Sequence, residues 1–250
     1  MRSALLADVH ANREALTACL QHAERAGCDR HVFLGDLVGY GADPAWVLAT
    51  VMRLHERGAI VVQGNHDAAV QRGPTTHMNP AARQVADWTR RQLDAGQLAF
   101  LGALPLQHDT DECLFVHANA WAPAAWEYVA GAADAGRSLA ATQRRLTFCG
   151  HVHDPALYAQ IPGERAVYFI PSRGTPIPLG GRRRWLAIPG SVGQPRDGVP
   201  AACYALYDDR SQTLTFHRVA YDFEAAAAKI RAAGLPEQFV VLLLGNGGHA

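Results

Sequence analysis

The sequence predicts an α/β fold in which two mixed β-sheets pack as a sandwich and α-helices flank them. The first third of the 250 residues alternates strand and helix patterns with short connections. The last third is a series of short strand patterns separated by proline and glycine turns. No repeat, low-complexity tract or linker interrupts the chain, so we expect one domain over residues 1–250.

Three strands alternate with two helices in the first third of the chain. The strand patterns run from Ser3 to Ala7, from His31 to Leu34 and from Ala59 to Gln63. Asn12 is a typical cap for a first helix that Gly27 ends, and Asp43-Pro44 opens a second helix that Gly58 ends. This alternation predicts parallel strands joined by right-handed crossovers.

The middle of the chain carries helix patterns from Asn79-Pro80 to about Leu93 and in "QLAFLGAL". Beyond them, the strands "CLFV" and "LTFC" flank a helix around Ala135 to Arg145. Five strand patterns follow, "ALYAQ", "AVYFI", "RWLAI", "AACYALYD" and "TLTFHRV", and "DFEAAAAKIRAAG" predicts a closing helix. We assign residues 237–250 as an edge strand or a tail, because the apolar run from Phe239 to Leu244 suits a last strand or a contact in a homo-oligomer.

Composition restricts the function classes. The chain is 49% hydrophobic and 18% charged, and its formal net charge is zero, which disfavours broad binding to nucleic acid or to a membrane surface. The N-terminus lacks the apolar core of a signal peptide, and no apolar run reaches transmembrane length. The five cysteines have no metal-type spacing, which predicts buried thiols in a reducing cytoplasm.

Five of the predicted strands end in residue types that bind metals. The residues are Asp8 and His10, then Asp36, then Asn65, His66 and Asp67, then His117, and finally His151 and His153. The carboxyl ends of parallel strands line one crevice, so residues far apart in sequence are expected to converge there. An extended D-x-H or H-x-H also places its first and third side chains on the same side.

Seven of these residues form a predicted ligand set: Asp8, His10, Asp36, Asn65, His117, His151 and His153. One ion takes about four to six ligands, so this set is sufficient for two ions if one carboxylate bridges them. A set rich in imidazole suits transition metals, whereas calcium and magnesium prefer oxygen ligands. We therefore predict two divalent transition-metal ions, with manganese favoured and iron, zinc, cobalt or nickel as alternatives.

Such a pair of ions predicts phosphate chemistry. Two divalent ions about 3.5–4 Å apart clamp a phosphate, acidify a water between them and stabilise an in-line displacement. Two aspartates and a hydroxide leave a net positive charge at the pair, which favours an anionic substrate. His66 and Asp67 are predicted catalytic residues, with His66 held by the adjacent Asp67 as proton donor to the leaving oxygen. Asn65, His66 and Arg196 are the predicted contacts to substrate.

Each motif alone is weak, but the ordered series D-x-H, G-D, G-N-H-D, H and G-H-x-H resembles that of the metallophosphoesterase, or calcineurin-like phosphoesterase, family. The stretch "IPGSVGQPRDG" (Ile188 to Gly198) is similar to a loop of small bacterial phosphodiesterase-type members. The resemblance implies a four-layer double β-sandwich flanked by helices. It also implies that Asp36 bridges two metals and that His66 is the leaving-group acid. The implied ligands are Asp8, His10, Asp36 and His153 for one metal, and Asp36, Asn65, His117 and His151 for the other.

The sequence departs from the family pattern in several places. Alanine follows His10 and His117, as Ala11 and Ala118, where glycine is common. The G-D motif continues with "LVGYG" in place of the Asn-Arg-Gly of the protein serine/threonine phosphatases, and Asp67 stands where those phosphatases have glutamate. These differences favour an enzyme for small substrates over a protein phosphatase.

We therefore expect a cytoplasmic, dinuclear metal-dependent phosphoesterase. It would hydrolyse a phosphodiester or phosphoanhydride of a small, nucleotide-type substrate by attack of metal-bound hydroxide. Phosphodiesterase activity is favoured over phosphomonoesterase activity, although the motifs themselves suit both. A non-catalytic scaffold that kept the fold and a nuclease are weaker alternatives, since every ligand is present and the net charge is zero.

Overall fold

Two six-stranded mixed sheets form the centre of the molecule, as the sequence predicts. The computed structural model describes residues 1–73 and 78–245. The first sheet has the order β3-β2-β1-β11-β12-β9, with strands Ile60–Val61, Arg30–Phe33, Arg2–Leu6, Ala202–Asp208, Thr213–Val219 and Ile177–Pro178. The second has the order β4-β5-β6-β10-β7-β8, with strands Gln107–Asp109, Cys113–Val116, Leu146–Phe148, Arg184–Ile188, Ala156–Gln160 and Val167–Phe169.

Helices cover the outer faces of both sheets. Within the described ranges they are α1 Arg13–Arg25, α2 Pro44–Glu56, α3 Asn65–Arg72, α4 Pro80–Gln92, α5 Ala95–Ala103, α6 Ala132–Ala140, α7 Phe223–Ala232 and α8 Glu237–Leu243, together with a short 3₁₀ turn, Pro123–Ala125. Asn12 caps α1 as expected, since its side chain accepts a hydrogen bond from the Ala15 N–H at 3.0 Å.

The packing of apolar side chains confirms the four layers. In β1 and the residue that follows it, Leu5 and Ala7 point into the core between the two sheets, whereas Ala4 and Leu6 point towards the helices on the outer face. A strand buried on both faces must be apolar on both, which explains the continuous apolar run after Ser3. On the other side of the sandwich, Leu139 of α6 packs against the second sheet.

The parallel pairing predicted for the first third is confirmed. β1 pairs in parallel with β2, and β2 pairs in parallel with β3. β5, β6 and β10 are also parallel neighbours in the second sheet. The carboxyl ends of these strands carry the metal-type residues, so the topology decides where those residues meet.

The later strands do not form a sheet of their own, although their succession near the end of the chain would suggest one. β11 pairs antiparallel with β1 in the first sheet, whereas β10 lies between β6 and β7 in the second. Each sheet thus combines strands from the beginning and the end of the chain. The residue pattern of a strand shows which of its faces are buried but not which strands pair with it. The pairing of β10 and β11 with strands of different sheets was therefore not predicted from the sequence.

The edge-strand assignment of the tail is wrong. Residues Glu237–Leu243 form helix α8, and residues 246–250 lie outside the described part of the chain. Phe239, Val240 and Leu243 are buried against α7 and α4, at the spacing of one helix face. Because these side chains pack against other helices of the same chain, they do not support a contact between two copies. The homo-oligomer stays a prediction.

Helix α3, which follows Gly64 directly, and the short strands β4 and β9 were not expected from the sequence. In the described residues, no helix has the length and apolar character needed to cross a membrane. The five cysteines are all free thiols, and only Cys28 is partly exposed.

Candidate metal centre

The metal-type residues meet where the carboxyl ends of the two sets of parallel strands adjoin. Backbone hydrogen bonds hold the loops after β1 and β2 together, with the His10 N–H donating to the Asp36 carbonyl at 2.9 Å. The loops after β5 and β6 are joined in the same way, since the Gly150 N–H donates to the His117 carbonyl at 2.8 Å. A bond between the sheets, from the His151 N–H to the Asp8 carboxylate at 3.0 Å, brings one end of each sheet to the same crevice.

The side chains converge through left-handed backbone turns and not through extended alternation, which corrects the expectation for D-x-H and H-x-H. The φ angle is positive at Asp8 (55°), His10 (47°), Asp36 (52°), His151 (70°) and His153 (73°). Residues with a Cβ rarely adopt this region, and it costs about 1–3 kcal/mol each. Ala11, at a position where the family often has glycine, also has a positive φ of 50°.

Asp8, His10 and His153 form the first group of candidate ligands, and all three are buried. The Nε2 atoms of His10 and His153 are 3.1 Å apart, and the His153 Nε2 lies 3.5 Å from an Asp8 carboxylate oxygen. All the potential ligand atoms of the group lie within 4.8 Å of one another, which is the spacing expected around a single ion.

Asp36, His117 and His151 form the second group, and they too are buried. The His117 Nε2 lies 3.2 Å from the His151 Nδ1 and 3.0 Å from the Asn65 Oδ1. Asn65 is the first residue of α3, so the end of β3 places its side-chain oxygen beside this group.

Asp36 lies between the two groups. Its Oδ2 atom is 3.4 Å from the His117 Nε2 and 3.8 Å from the His10 Nε2. Its Oδ1 atom accepts a hydrogen bond from the His66 N–H at 2.8 Å, which fixes the orientation of the carboxylate. Gly64 makes this possible, because a Cβ at that position would lie 2.2 Å from the Asp36 Oδ1.

Each of the four candidate histidines uses one ring nitrogen for a hydrogen bond to the backbone. We call this the outer nitrogen and the other ring nitrogen, which faces the candidate ligands, the inner nitrogen. Each outer nitrogen donates to a backbone carbonyl, at 3.1 Å for His10 to Val38, 2.7 Å for His117 to Leu34, 2.9 Å for His151 to Trp126 and 2.7 Å for His153 to Gln194. A carbonyl can only accept, so the neutral form of each ring carries its lone pair on the inner nitrogen. Inner nitrogens that face each other at 3.1–3.2 Å need a cation or a proton between them, and the residues present therefore fit a metal centre.

The pKa values of the two central carboxylates, Asp8 and Asp36, shift in opposite directions. Burial raises the pKa of Asp8 to about 7, although the His117 charge opposes the shift. Burial would also raise the pKa of Asp36, but the His117 and His66 charges outweigh it and hold this pKa well below its usual range. The carboxylate between the two groups is therefore ionised at neutral pH.

The imidazoles favour the neutral form that binds metal, with one exception. Burial and the His117 charge lower the pKa of His151 to about 3, and burial lowers the pKa of His10 well below its ordinary value. Burial also lowers the pKa of His153, and the nearby guanidinium of Arg196 lowers it further. For His117, burial is outweighed by Asp36, which raises its pKa to about 9. In the metal-free protein, the His117 proton thus compensates the Asp36 charge.

His66 lies beside this centre and is held by Tyr40. The His66 Nε2 and the Tyr40 hydroxyl are 2.9 Å apart, and the Tyr40 ring packs against both His10 and Phe239 of α8. The His66 Nδ1 is buried and has no hydrogen-bond partner among the described residues. It faces Gly39, where a Cβ would approach to 2.6 Å. The His66 ring thus lies at the crevice with one polar atom unsatisfied.

Asp67 does not hold His66, contrary to the expectation from their adjacency. Its carboxylate accepts hydrogen bonds from the backbone N–H groups of Leu37 (2.9 Å), Val38 (3.2 Å) and Gly64 (2.9 Å). Because α3 starts at Asn65, successive side chains diverge by the helical rotation, and Asp67 turns towards the β2 loop. Burial, together with the Asp36 charge, raises the pKa of Asp67 to about 7.

Comparison with known proteins identifies the family. Residues 1–212 match the calcineurin-like phosphoesterase superfamily domain. The chain belongs to this superfamily. Together with the two groups of candidate ligands, membership identifies a metal-dependent phosphoesterase, a hydrolase of phosphoric esters.

Several relatives of this metallophosphoesterase match it over almost its full length. A metallophosphoesterase from Sphaerobacter thermophilus is 37% identical, with a TM-score of 0.86, and the match covers 98% of this chain and 100% of that one. An uncharacterised protein of Methanocaldococcus jannaschii is 32% identical over 94% of this chain and 93% of its own length. A hypothetical protein from Pyrococcus horikoshii shares the fold, with a TM-score of 0.80, 19% identity and coverage of 99% of both chains.

The segment from Ile188 to Gly198 forms hydrogen bonds with residues of the candidate metal centre. The Ser191 hydroxyl donates to the Asp8 carbonyl at 2.8 Å, and Gln194 provides the carbonyl that accepts from His153. Arg196 is half-buried at the rim, where its charge contributes to the pKa of His10, His66 and His153. The predicted substrate contact thus lies close to the candidate ligands.

Sequence reasoning missed the segment that follows His117. Trp126 provides the carbonyl for His151, its ring lies edge-on to the His117 ring at 5.8 Å, and the Tyr128 ring stacks on His151. The run "WAPAAWEY" concentrates three aromatic residues between two predicted strands, which is the signal that could have revealed it. The contact between Tyr40 and His66 joins two separate motifs, and no local signal in the sequence indicates it.

We expect Asp67→Ala to destabilise the protein. The substitution leaves three buried backbone N–H groups without their acceptor, and one such group costs about 1–3 kcal/mol. Urea unfolding of the metal-free protein should therefore show a loss of at least about 2 kcal/mol. Asp87→Ala, at an exposed position of α4, is the control and should unfold as the wild type does. Wild-type stability of Asp67→Ala would contradict the structural role.

Proposed function

We propose that the chain is a dinuclear metal-dependent phosphoesterase that hydrolyses a phosphodiester or phosphoanhydride of a small, nucleotide-type substrate. The observation that carries the proposal is the position of Asp36, whose Oδ2 atom lies within 4 Å of an inner imidazole nitrogen in each group of candidate ligands. One carboxylate between two such groups is the arrangement that two neighbouring ions require.

The assignment of ligands follows the two groups. Asp8, His10, Asp36 and His153 would hold one ion, and Asp36, Asn65, His117 and His151 would hold the other. Imidazole-rich sets with few carboxylates favour transition metals, and manganese is our first choice among manganese, iron, zinc, cobalt and nickel. The outer hydrogen bonds to backbone carbonyls support this assignment, because they orient each ring towards its group before any ion binds.

The protein residues divide the remaining work of hydrolysis. When bound, the two ions supply Lewis acidity for the phosphate oxygens and a deprotonated water at neutral pH. His66 donates a proton to the leaving oxygen, while the Tyr40 hydroxyl holds its ring at the crevice. Arg196 at the rim attracts the anionic substrate, and Asn65 contacts it next to the second group. Asp67 contributes by holding the two turns that carry Asp36 and His66.

A small substrate suits the charge of the protein. The formal net charge is zero, which disfavours the general attraction to a polyanion on which a nuclease relies. Phosphomonoesterase activity, including that of a protein phosphatase, is the alternative within the same chemistry, and a non-catalytic scaffold is a more distant one. Free, mostly buried thiols support our proposal of a cytoplasmic location.

Hydrolysis of two model substrates tests the proposal. Metal-stripped protein is reloaded with Mn²⁺ and incubated with bis-p-nitrophenyl phosphate and, in parallel, with p-nitrophenyl phosphate. We expect hydrolysis of both with a higher kcat/KM for the diester. A preference for the monoester would indicate a phosphatase. Absence of hydrolysis with every transition metal that binds would favour the scaffold.

We expect Asp36→Ala to lose both metal equivalents, because its carboxylate belongs to the second group and also lies 3.8 Å from the His10 Nε2 atom of the first group. Elemental analysis after dialysis against a fixed low metal concentration measures the bound metal. His153→Ala is the matched control: it removes a ligand of the first group alone and should lose one equivalent. Two equivalents retained in Asp36→Ala would show that Asp36 does not bridge.

We expect His66→Ala to keep both metal equivalents and to hydrolyse esters with poor leaving groups about 10²–10⁴-fold more slowly. Esters of p-nitrophenol should be affected much less, since this leaving group needs little protonation. Tyr40→Phe, which keeps the ring and removes the hydroxyl that contacts His66, should lie between the wild type and His66→Ala. Loss of one metal equivalent in His66→Ala would instead identify His66 as a ligand.

A further inference from the structure

An exposed aromatic ring adjoins the buried candidate ligands. Tyr128 is 51% exposed, yet its ring stacks on that of His151, with centroids 4.0 Å apart and planes inclined by 13°. His151 belongs to the second group of candidate ligands. A ring that solvent can reach is therefore in direct stacking contact with a candidate metal ligand.

The segment around Tyr128 is anchored on both sides. The Asn119 side chain donates to the Glu127 carbonyl at 2.8 Å and accepts from the Ala122 N–H at 2.8 Å. On the other side, Val129 is buried in the apolar layer beneath the second sheet. These contacts fix the backbone immediately before and after Tyr128, so the ring is held at the mouth of the crevice.

Packing in the hydrophobic core does not explain the position of the Tyr128 ring. Its neighbour Val129 is buried in the core, and the Trp126 carbonyl already orients His151 through a hydrogen bond. Single exposed aromatic residues are common on protein surfaces, so exposure alone means little. The position parallel to a candidate ligand, on a fixed segment, is what distinguishes Tyr128 from other exposed aromatic residues such as Tyr168 on β8.

The charges nearby suit a ligand that combines a phosphate with a planar apolar ring. Arg196 adds positive charge near the candidate ligands, where it lowers the pKa of His66 and of His153. The carboxylate of Glu127, next to Tyr128, is paired with Arg137 at 3.3 Å and is partly neutralised. An anion can therefore approach the ligands while its planar substituent lies over Tyr128.

We propose that the open face of Tyr128 is a stacking subsite for the nucleobase of a nucleoside phosphate. This inference rests on the proposed function, since it requires a phosphate group at the candidate ligands. Stacking is tolerant of base identity because every base presents a π-face. The subsite would thus select nucleotides over other phosphate esters without selecting a particular base.

Equilibrium binding of two matched ligands tests the subsite. The probes are a non-hydrolysable methylenephosphonate analogue of adenosine monophosphate and its ribose counterpart, which lacks only the base, and calorimetry of the Mn²⁺-loaded protein measures each Kd. The wild type should bind the adenosine compound at least about fivefold more tightly, the lower end of the range for one stacked base. Tyr128→Ala should bring the two Kd values together, whereas Tyr128→Phe should preserve their ratio.

A control variant and the metal content separate the outcomes. Tyr168→Ala removes a similarly exposed tyrosine from β8, 48% exposed, and should preserve the ratio. Equal Kd values in the wild type, or an equal loss for both ligands in Tyr128→Ala, would overturn the subsite while leaving the proposed function intact. Failure of the wild type to bind metal or either phosphonate would overturn the proposed function, and the subsite with it.

Discussion

The carboxylate of Asp36 is the constraint on which the rest of the site depends. It is buried, ionised at neutral pH, and positioned between His10 and His117, which follow strands of different sheets. A charge in this position is stable only if cations or protons surround it. The His66 N–H and the His117 proton meet this need in the metal-free protein, and two divalent ions would meet it in the proposed enzyme.

The backbone around this carboxylate is organised to present ligands, at a cost in local conformation. Five of the candidate ligands have left-handed φ angles, and Gly64 leaves space that no side chain could share with Asp36. Hydrogen bonds between the loops and the three N–H groups that Asp67 accepts hold these turns in place. Strain of this kind persists where the surrounding structure enforces it, which is typical of functional sites.

Function is divided between this buried centre and its rim. The centre, made of imidazoles and carboxylates, serves any phosphate ester equally well. Discrimination between substrates must come from groups that touch the rest of the molecule, and Tyr128 and Arg196 are the residues that we propose for this contact. Helix α8 also belongs to this region, because Phe239 packs against the Tyr40 ring that contacts His66.

The sequence by itself determined the strands of the first third and the residues at their ends, because a buried strand must be apolar and a polar interruption such as Asp8 or Asn65 is visible locally. It also determined the family, since the order of the motifs is a property of the chain. Only the tertiary structure decided that β11 joins the first sheet and β10 the second, that Tyr40 and not Asp67 contacts His66, and that Tyr128 stacks on His151. These are contacts between distant segments, and their geometry depends on how loops turn and layers pack, which no local pattern records.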